Sequence, residues 1–184
     1  MPPRSNPLRS LNVRIAAIAF ALTLSGAASA ASAELVKSGV LVIDKSLAPA
    51  QLELMETAAR RYATFWNSGD ESFAREALAN NFVDKTPPAG RKQGPEGPLL
   101  ASRAFRGAVP DLGCEVEQMI IVGDRVVVHL HFRGHFTGTF GETKGRGQTV
   151  DFIATDIYQI ENGKIAANWH LEDNLTLMKQ LGAS

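Results

Sequence analysis

The chain has 184 residues, 45% of them hydrophobic and 21% charged, with 19 Lys and Arg set against 19 Asp and Glu. This ordinary globular balance excludes a wholly disordered chain, a collagen and a multi-span membrane protein, and it lacks the positive excess of a basic nucleic-acid binder. A single cysteine, Cys114, cannot close an intramolecular disulfide, and with four histidines it makes a poor zinc set.

Arg4, Arg9 and Arg14 lead into an apolar run over residues 15–24, and small residues follow as far as Ala33. That order is the one of a secretory signal peptide, with cleavage expected after Ala30 or Ala33. The apolar run is short for a membrane span, which needs roughly 20 residues. No cysteine follows it to take a lipid, and no Arg-Arg pair precedes it. The expectation is export to the periplasm or the medium, with no membrane attachment after cleavage. Residues 1–33 carry three Arg and no acid, so their removal leaves 16 basic and 19 acidic residues, a net charge of −3. A mildly acidic chain has no electrostatic pull toward nucleic acid or an anionic membrane.

Residues 34–48 form an N-terminal arm, in which Val40-Leu41-Val42-Ile43 reads either as a short strand or as a mobile segment docked on the body. The domain proper is expected over 49–184. A helix starts at Pro49, with Leu52, Met55, Ala59, Tyr62, Ala63 and Trp66 at helical spacing, and stops at Asn67-Ser68-Gly69-Asp70. A second helix is expected over 72–79, a loop rich in Pro and Gly over 82–98, and a third helix over 99–108. From there the period becomes alternating. Strands are expected over 116–122, 125–136, 150–160 and 164–171, with tight turns at Gly123-Asp124 and Asn162-Gly163 and a glycine-rich hairpin or loop over 137–147. The tail over 174–181 reads as a short helix or coil. Three helices before an antiparallel meander argue an α+β domain, in which a curved sheet wraps the helices and encloses a pocket.

Alternation puts His129, His131 and His135 on one face of their strand with Arg133, and Leu130, Phe132 and Phe136 on the other. His135, near the strand end, is the histidine that a bulge can redirect into a site. Asp156 is a carboxylate in mid-strand among Ile153, Ile157 and Tyr158, so it either pairs with a cation or lines the pocket. Trp169 and His170 are neighbours on one strand and face opposite ways. Trp169 is expected on the core or pocket wall and His170 outside. Tyr62, Phe65 and Trp66 fit the core stripe of the first helix, with Trp66 also a candidate for the pocket wall.

Four stretches resemble one known family. They are Tyr62-Ala63-Thr64-Phe65-Trp66-Asn67-Ser68-Gly69-Asp70; Thr86-Pro87-Pro88 with Gly94-Pro95-Glu96-Gly97; Phe105-Arg106-Gly107-Ala108-Val109-Pro110-Asp111-Leu112 with Gly123-Asp124-Arg125-Val126; and Asp156-Ile157-Tyr158-Gln159-Ile160 with Gly163-Lys164-Ile165, Trp169 and Asp173. In this order they look like the SnoaL-like polyketide cyclases (ester cyclases) of the NTF2-like superfamily. The resemblance implies a cone-shaped α+β fold, a homodimer, a small hydrophobic molecule as partner, and no metal or organic cofactor. It also implies an Asp after the last-strand Trp as general acid/base in an aldol-type cyclisation or isomerisation. That position is Asp173, which an apolar surrounding would raise in pKa if it points inward; the other reading of Asp173 is a solvated or capping Asp ahead of the final helix. His135 is assigned beside it, and Asp156, Trp169, Trp66 and Asp84 to the substrate. Lys85 stands where the family often has His. Two other readings use the same fold: a non-catalytic periplasmic binding protein for a small hydrophobic ligand, and a dimeric interaction module.

Overall fold

In the computed structural model, the described residues are Met1 and 34–183. The cleavage positions Ala30 and Ala33, with most of the expected signal segment, lie outside them. The elements run β1 (Ser38–Ile43), α1 (Pro49–Ser68), α2 (Glu71–Ala77), β2 (Leu78–Asp84), α3 (Glu96–Ala108), β3 (Gly113–Val122), β4 (Arg125–Phe136), β5 (Thr139–Phe140), β6 (Thr143–Lys144), β7 (Gln148–Glu161), β8 (Lys164–Glu172) and α4 (Asn174–Leu181).

Pro49 opens α1, where its missing N–H leaves no helical bond unmade. Gly69 closes the helix in the left-handed conformation at φ 78°, its N–H donating to the Phe65 carbonyl at 2.7 Å. Asp70 then caps α2 by accepting from Ser72 N at 2.9 Å. Met55, Ala58, Ala59, Tyr62, Ala63 and Phe65 form the buried face of α1. They meet the inward residues of the sheet, such as Val128, Leu130 and Phe132 of β4 and Ala154 and Tyr158 of β7. Each Leu or Phe buried this way contributes about 1.5–3 kcal/mol.

The sheet has six strands in the order β1-β3-β4-β7-β8-β2. Its four central strands are antiparallel, as expected, but the two edges are not: β1 runs parallel to β3 and β2 parallel to β8. Parallel neighbours need a crossover connection, and the helices provide the intervening chain. Of the two readings open for residues 34–48, the structure has the strand. The strand β2 was not expected, because Asn80-Asn81 reads as a helix stop followed by loop. Its register shifts between Leu78 and Val83, so it shows no clean alternation. The tail is helical, as α4.

Two glycine positions are set by backbone geometry. Asn162 and Gly163 adopt φ 51° and 72°, the paired left-handed geometry of the hairpin turn expected there. Gly138 lets the β5–β6 hairpin lie against the end of α3. Its N–H donates to the Ala108 carbonyl at 2.9 Å, and a side chain there would collide with the Gly107 carbonyl. Among the described residues, no helix is long and apolar enough to cross a membrane.

Candidate functional site

Between the sheet and helices α1, α3 and α4 lies a cavity of about 500 Å³, within the range that takes a drug-sized molecule. Its walls are aromatic: Tyr62 and Trp66 from α1, Phe105 from α3, Phe132 from β4, Phe140 from β5 and Phe152 from β7. Phe132 and Phe152 stack with centroids 5.0 Å apart, and Phe105 and Trp66 meet them edge-on at 5.9 and 6.3 Å. Such offset and edge contacts hold the rings in fixed positions. Polar groups enter this apolar wall from Asp84, Arg91, Asp156, Asn168, His170 and Glu172.

Three of these, Asp156, Asn168 and His170, form a square with Tyr158 across two strands. Asp156 stands opposite His170 and Tyr158 opposite Asn168 in the β7–β8 ladder. Asp156 Oδ1 accepts from His170 Nδ1 at 2.7 Å and from Asn168 Nδ2 at 2.9 Å. Its Oδ2 accepts from the Tyr158 hydroxyl at 2.9 Å. A carboxylate 1% exposed is costly unless it is paired and hydrogen-bonded, and here three donors serve it. Burial pulls the His170 imidazole down, but Asp156, and Glu172 with Oε2 3.4 Å from Nε2, outweigh it and push its pKa up to about 10. His170 is therefore an imidazolium at neutral pH, with Nδ1 committed to Asp156 and Nε2–H on the Glu172 side. Burial, and next the Asp156 charge, push the Tyr62 phenol far up, so it stays a neutral hydroxyl.

Asp84 ends β2 and is 7% exposed. Its Oδ1 accepts from Thr86 N at 3.0 Å, and the Gln93 side chain clamps its backbone, accepting from Asp84 N at 3.0 Å and donating to Asp84 O at 2.9 Å. Thr86 ties the following loop to β8, its hydroxyl accepting from His170 N at 2.8 Å and donating to His170 O at 3.0 Å. The Pro- and Gly-rich loop is thus pinned beside the histidine.

The structure brings Asp84, Asp156 and Trp66 together in the cavity and places the other three candidates elsewhere. Of the two readings of Asp173, the structure has the cap and not the base in the cavity: it caps α4, accepting from Thr176 N at 3.0 Å. Hydrogen bonds from the Thr176 backbone and hydroxyl hold its carboxyl below the usual range. His135 is exposed on the outer face, with Nδ1 2.7 Å from Asp111 Oδ2. Its face follows strand alternation, with no bulge in β4 opposite β7 to turn it inward. Trp169 also lies outside, with Lys85 Nζ 5.9 Å and Arg125 Cζ 5.6 Å from its ring centroid, as cations sit over aromatic faces. Its neighbour His170 takes the inward place.

One residue explains that reversal. The turn at Asn162-Gly163 pairs Glu161 with Lys164 and Ile160 with Ile165, a register that would set Asp156 opposite Trp169. A bulge at Ala166 shifts the pairing, so Gln159 meets Ala167 and Asp156 meets His170. A one-residue shift exchanges the faces of every later side chain. Asn168, His170 and Glu172 thus all face the cavity, and alternation counted from Ile165 does not find them. The signal that was present is Asp156 itself, a carboxylate in mid-strand that needed a partner.

Residues 56–181 match the model of a family described as SnoaL-like polyketide cyclase. A proposed polyketide cyclase of Bacillus cereus is similar at 40% identity and a TM-score of 0.74, over 83% of this chain and 96% of that one. TsrD of Streptomyces laurentii is similar at 28% identity and 0.64, over 75% and 99%. IdmH of Streptomyces antibioticus, also a proposed polyketide cyclase, shares the fold at 24% identity and 0.62, over 69% and 97%. No curated relative matches the chain.

Proposed function

The chain belongs to the SnoaL-like polyketide cyclase family, and from that premise we propose that its cavity binds a small hydrophobic carbonyl compound and catalyses an enolate-based ring closure or isomerisation. The observation that carries this reading is the pair of half-buried His170 and buried Asp156 in an aromatic cavity. The chemistry needs a base for a proton beside a carbonyl and a donor for the oxygen where charge develops. His170 is the donor: Nε2–H meets the carbonyl oxygen, and an imidazolium stabilises an enolate far better than water does in a dry site. Asp156 is a positioning residue that keeps Nδ1 occupied and the ring charged. Asp84 is the base, a desolvated carboxylate with only Oδ1 held by a backbone donor. In a cyclisation, Asp84 takes the proton from carbon, the enolate carbon forms the new bond to a second carbonyl, and the resulting alkoxide takes a proton from the His170 side. Proton return from Asp84 through solvent resets the pair.

The test uses 2-acetonaphthone in D2O with the mature chain. Exchange of its methyl protons, read by NMR, is expected to be saturable and to fall by about 10²–10⁴-fold in His170→Gln. Saturable binding with no exchange beyond that of His170→Gln would overturn the enzyme reading and leave a hydrophobic binding protein.

The same reading has the protein exported, supported by Arg4, Arg9, Arg14 and the alanine-rich cleavage positions. N-terminal sequencing of protein from the periplasm or medium is expected to begin at Ala31 or Glu34. It also has the chain as a homodimer on the outer sheet face, where Ile120, Val122, Ile153, Ile157 and Leu171 are exposed. Light scattering of the purified chain distinguishes dimer from monomer.

A further inference from the structure

Asn168 lines the cavity and is 5% exposed. Its Nδ2 donates to Asp156 Oδ1, but its Oδ1 is buried with no hydrogen-bond partner among the described residues. The amide cannot be turned over to relieve this. Asp156 is a carboxylate, which only accepts, so a turned amide would set two acceptors against each other. Two donors of the same network are already spent, since both the Tyr158 hydroxyl and His170 Nδ1 serve Asp156. A buried acceptor left unmet is costly, so such an atom is normally satisfied by something outside the side-chain network.

We propose that Asn168 Oδ1 is a specificity-determining acceptor for the substrate, and that the substrate carries a hydroxyl group near the carbonyl that His170 polarises. The inference rests on the reading of the cavity given above and names its substrate class: hydroxylated carbonyl compounds, phenolic or enolic. Asn168 and His170 are two positions apart on one face of β8, about 7 Å along the strand. They present an acceptor and a donor side by side, which matches a molecule offering a hydroxyl and a carbonyl oxygen in the same spacing. A ligand without the hydroxyl leaves Oδ1 stranded, and a site built to meet a hydroxyl rejects the analogue lacking it far more strongly than an apolar wall rejects a lost methyl.

The experiment titrates the mature chain with 2-acetonaphthone and with its ring-hydroxylated isomers, following tryptophan fluorescence. At least one isomer is expected to bind about tenfold or more tightly than the parent ketone. In Asn168→Leu that preference is lost, read as the ratio of the isomer's affinity to the parent ketone's within the same variant. Saturable binding of the parent with no isomer more than about twofold tighter overturns the inference and leaves the function reading standing. A preference that survives in Asn168→Leu also overturns it, because the hydroxyl is then read elsewhere. Failure of every compound to bind overturns the function reading, and the inference falls with it. Should Asn168→Leu not fold, Asn168→Ala replaces it, and the wild-type comparison decides in any case.

Discussion

His170 on the inner face of the sheet and His131 on the outer face each meet two carboxylates. His170 has Asp156 at 2.7 Å and Glu172 at 3.4 Å, and His131 has Asp151 at 2.6 Å and Glu117 at 2.8 Å. Both imidazoles are raised, His131 chiefly by its hydrogen bond to Asp151. The partners differ. Asp151 and Glu117 are half exposed and share the surface with Arg133, whereas Asp156 is sealed beneath Tyr158 and Asn168. Distance alone does not separate these pairs, but water does. On the outer face the charges are screened and replaceable, and the pair is worth little. On the inner face each charge depends on the other, so the pair is rigid, costly to break and fit for chemistry.

The largest expected break in this comparison comes from removing one carboxylate on each face. Asp156→Ala leaves a half-buried imidazolium with an unmet and buried Tyr158 hydroxyl and Asn168 amide, and is expected to cost about 3–5 kcal/mol in urea unfolding. Asp151→Ala, on a half-exposed and screened pair, is expected to stay within about 1 kcal/mol.

The pH dependence sharpens it next. The folded pKa of His170, about 10, lies above its ordinary value of 6.5, so the folded state holds more protons between these two. The stability this group contributes is fully present below about pH 6.5 and is lost as pH rises through about 10. Urea midpoints of the wild type are expected to fall over that window more steeply than those of His170→Gln. His131→Gln is expected to remove a slope of the same sign and smaller size, because solvent screens its partners.

The two tryptophans report the faces separately. Trp66 lines the cavity and Trp169 lies outside beside Lys85 and Arg125. A bound aromatic ketone is expected to quench Trp66, with Trp66→Ala abolishing the signal. Iodide is expected to quench Trp169, and Trp169→Ala is expected to leave ligand affinity within about twofold. The smallest effect belongs to Asp173→Ala. It removes the cap of α4, giving a small drop in melting temperature, and leaves ligand affinity unchanged. A loss of binding or exchange in that variant would return Asp173 to the site.

Much of the fold was legible because its signals are local. The helical stripe from Met55 to Trp66, the alternation of β4 and the Asn162-Gly163 turn each declare an element within a few residues. The faces of His129, His131 and His135 followed from the same alternation, which runs unbroken along β4 against β7. The site was only partly legible. Asp156 could be singled out because a carboxylate in mid-strand is anomalous on its own, but its partner could not be named.

What the sequence by itself determined, then, is the order and type of the central elements and the need of Asp156 for a partner, since periodicity and burial cost act through near neighbours. What only the tertiary structure decided is who that partner is, and which strands close the edges of the sheet. The bulge at Ala166 adds one residue to β8, moves His170 opposite Asp156, and turns Trp169 to the outer face under Lys85 and Arg125. Register is a relation between two strands, and alternation read along one of them carries no trace of an extra residue that the ladder accommodates.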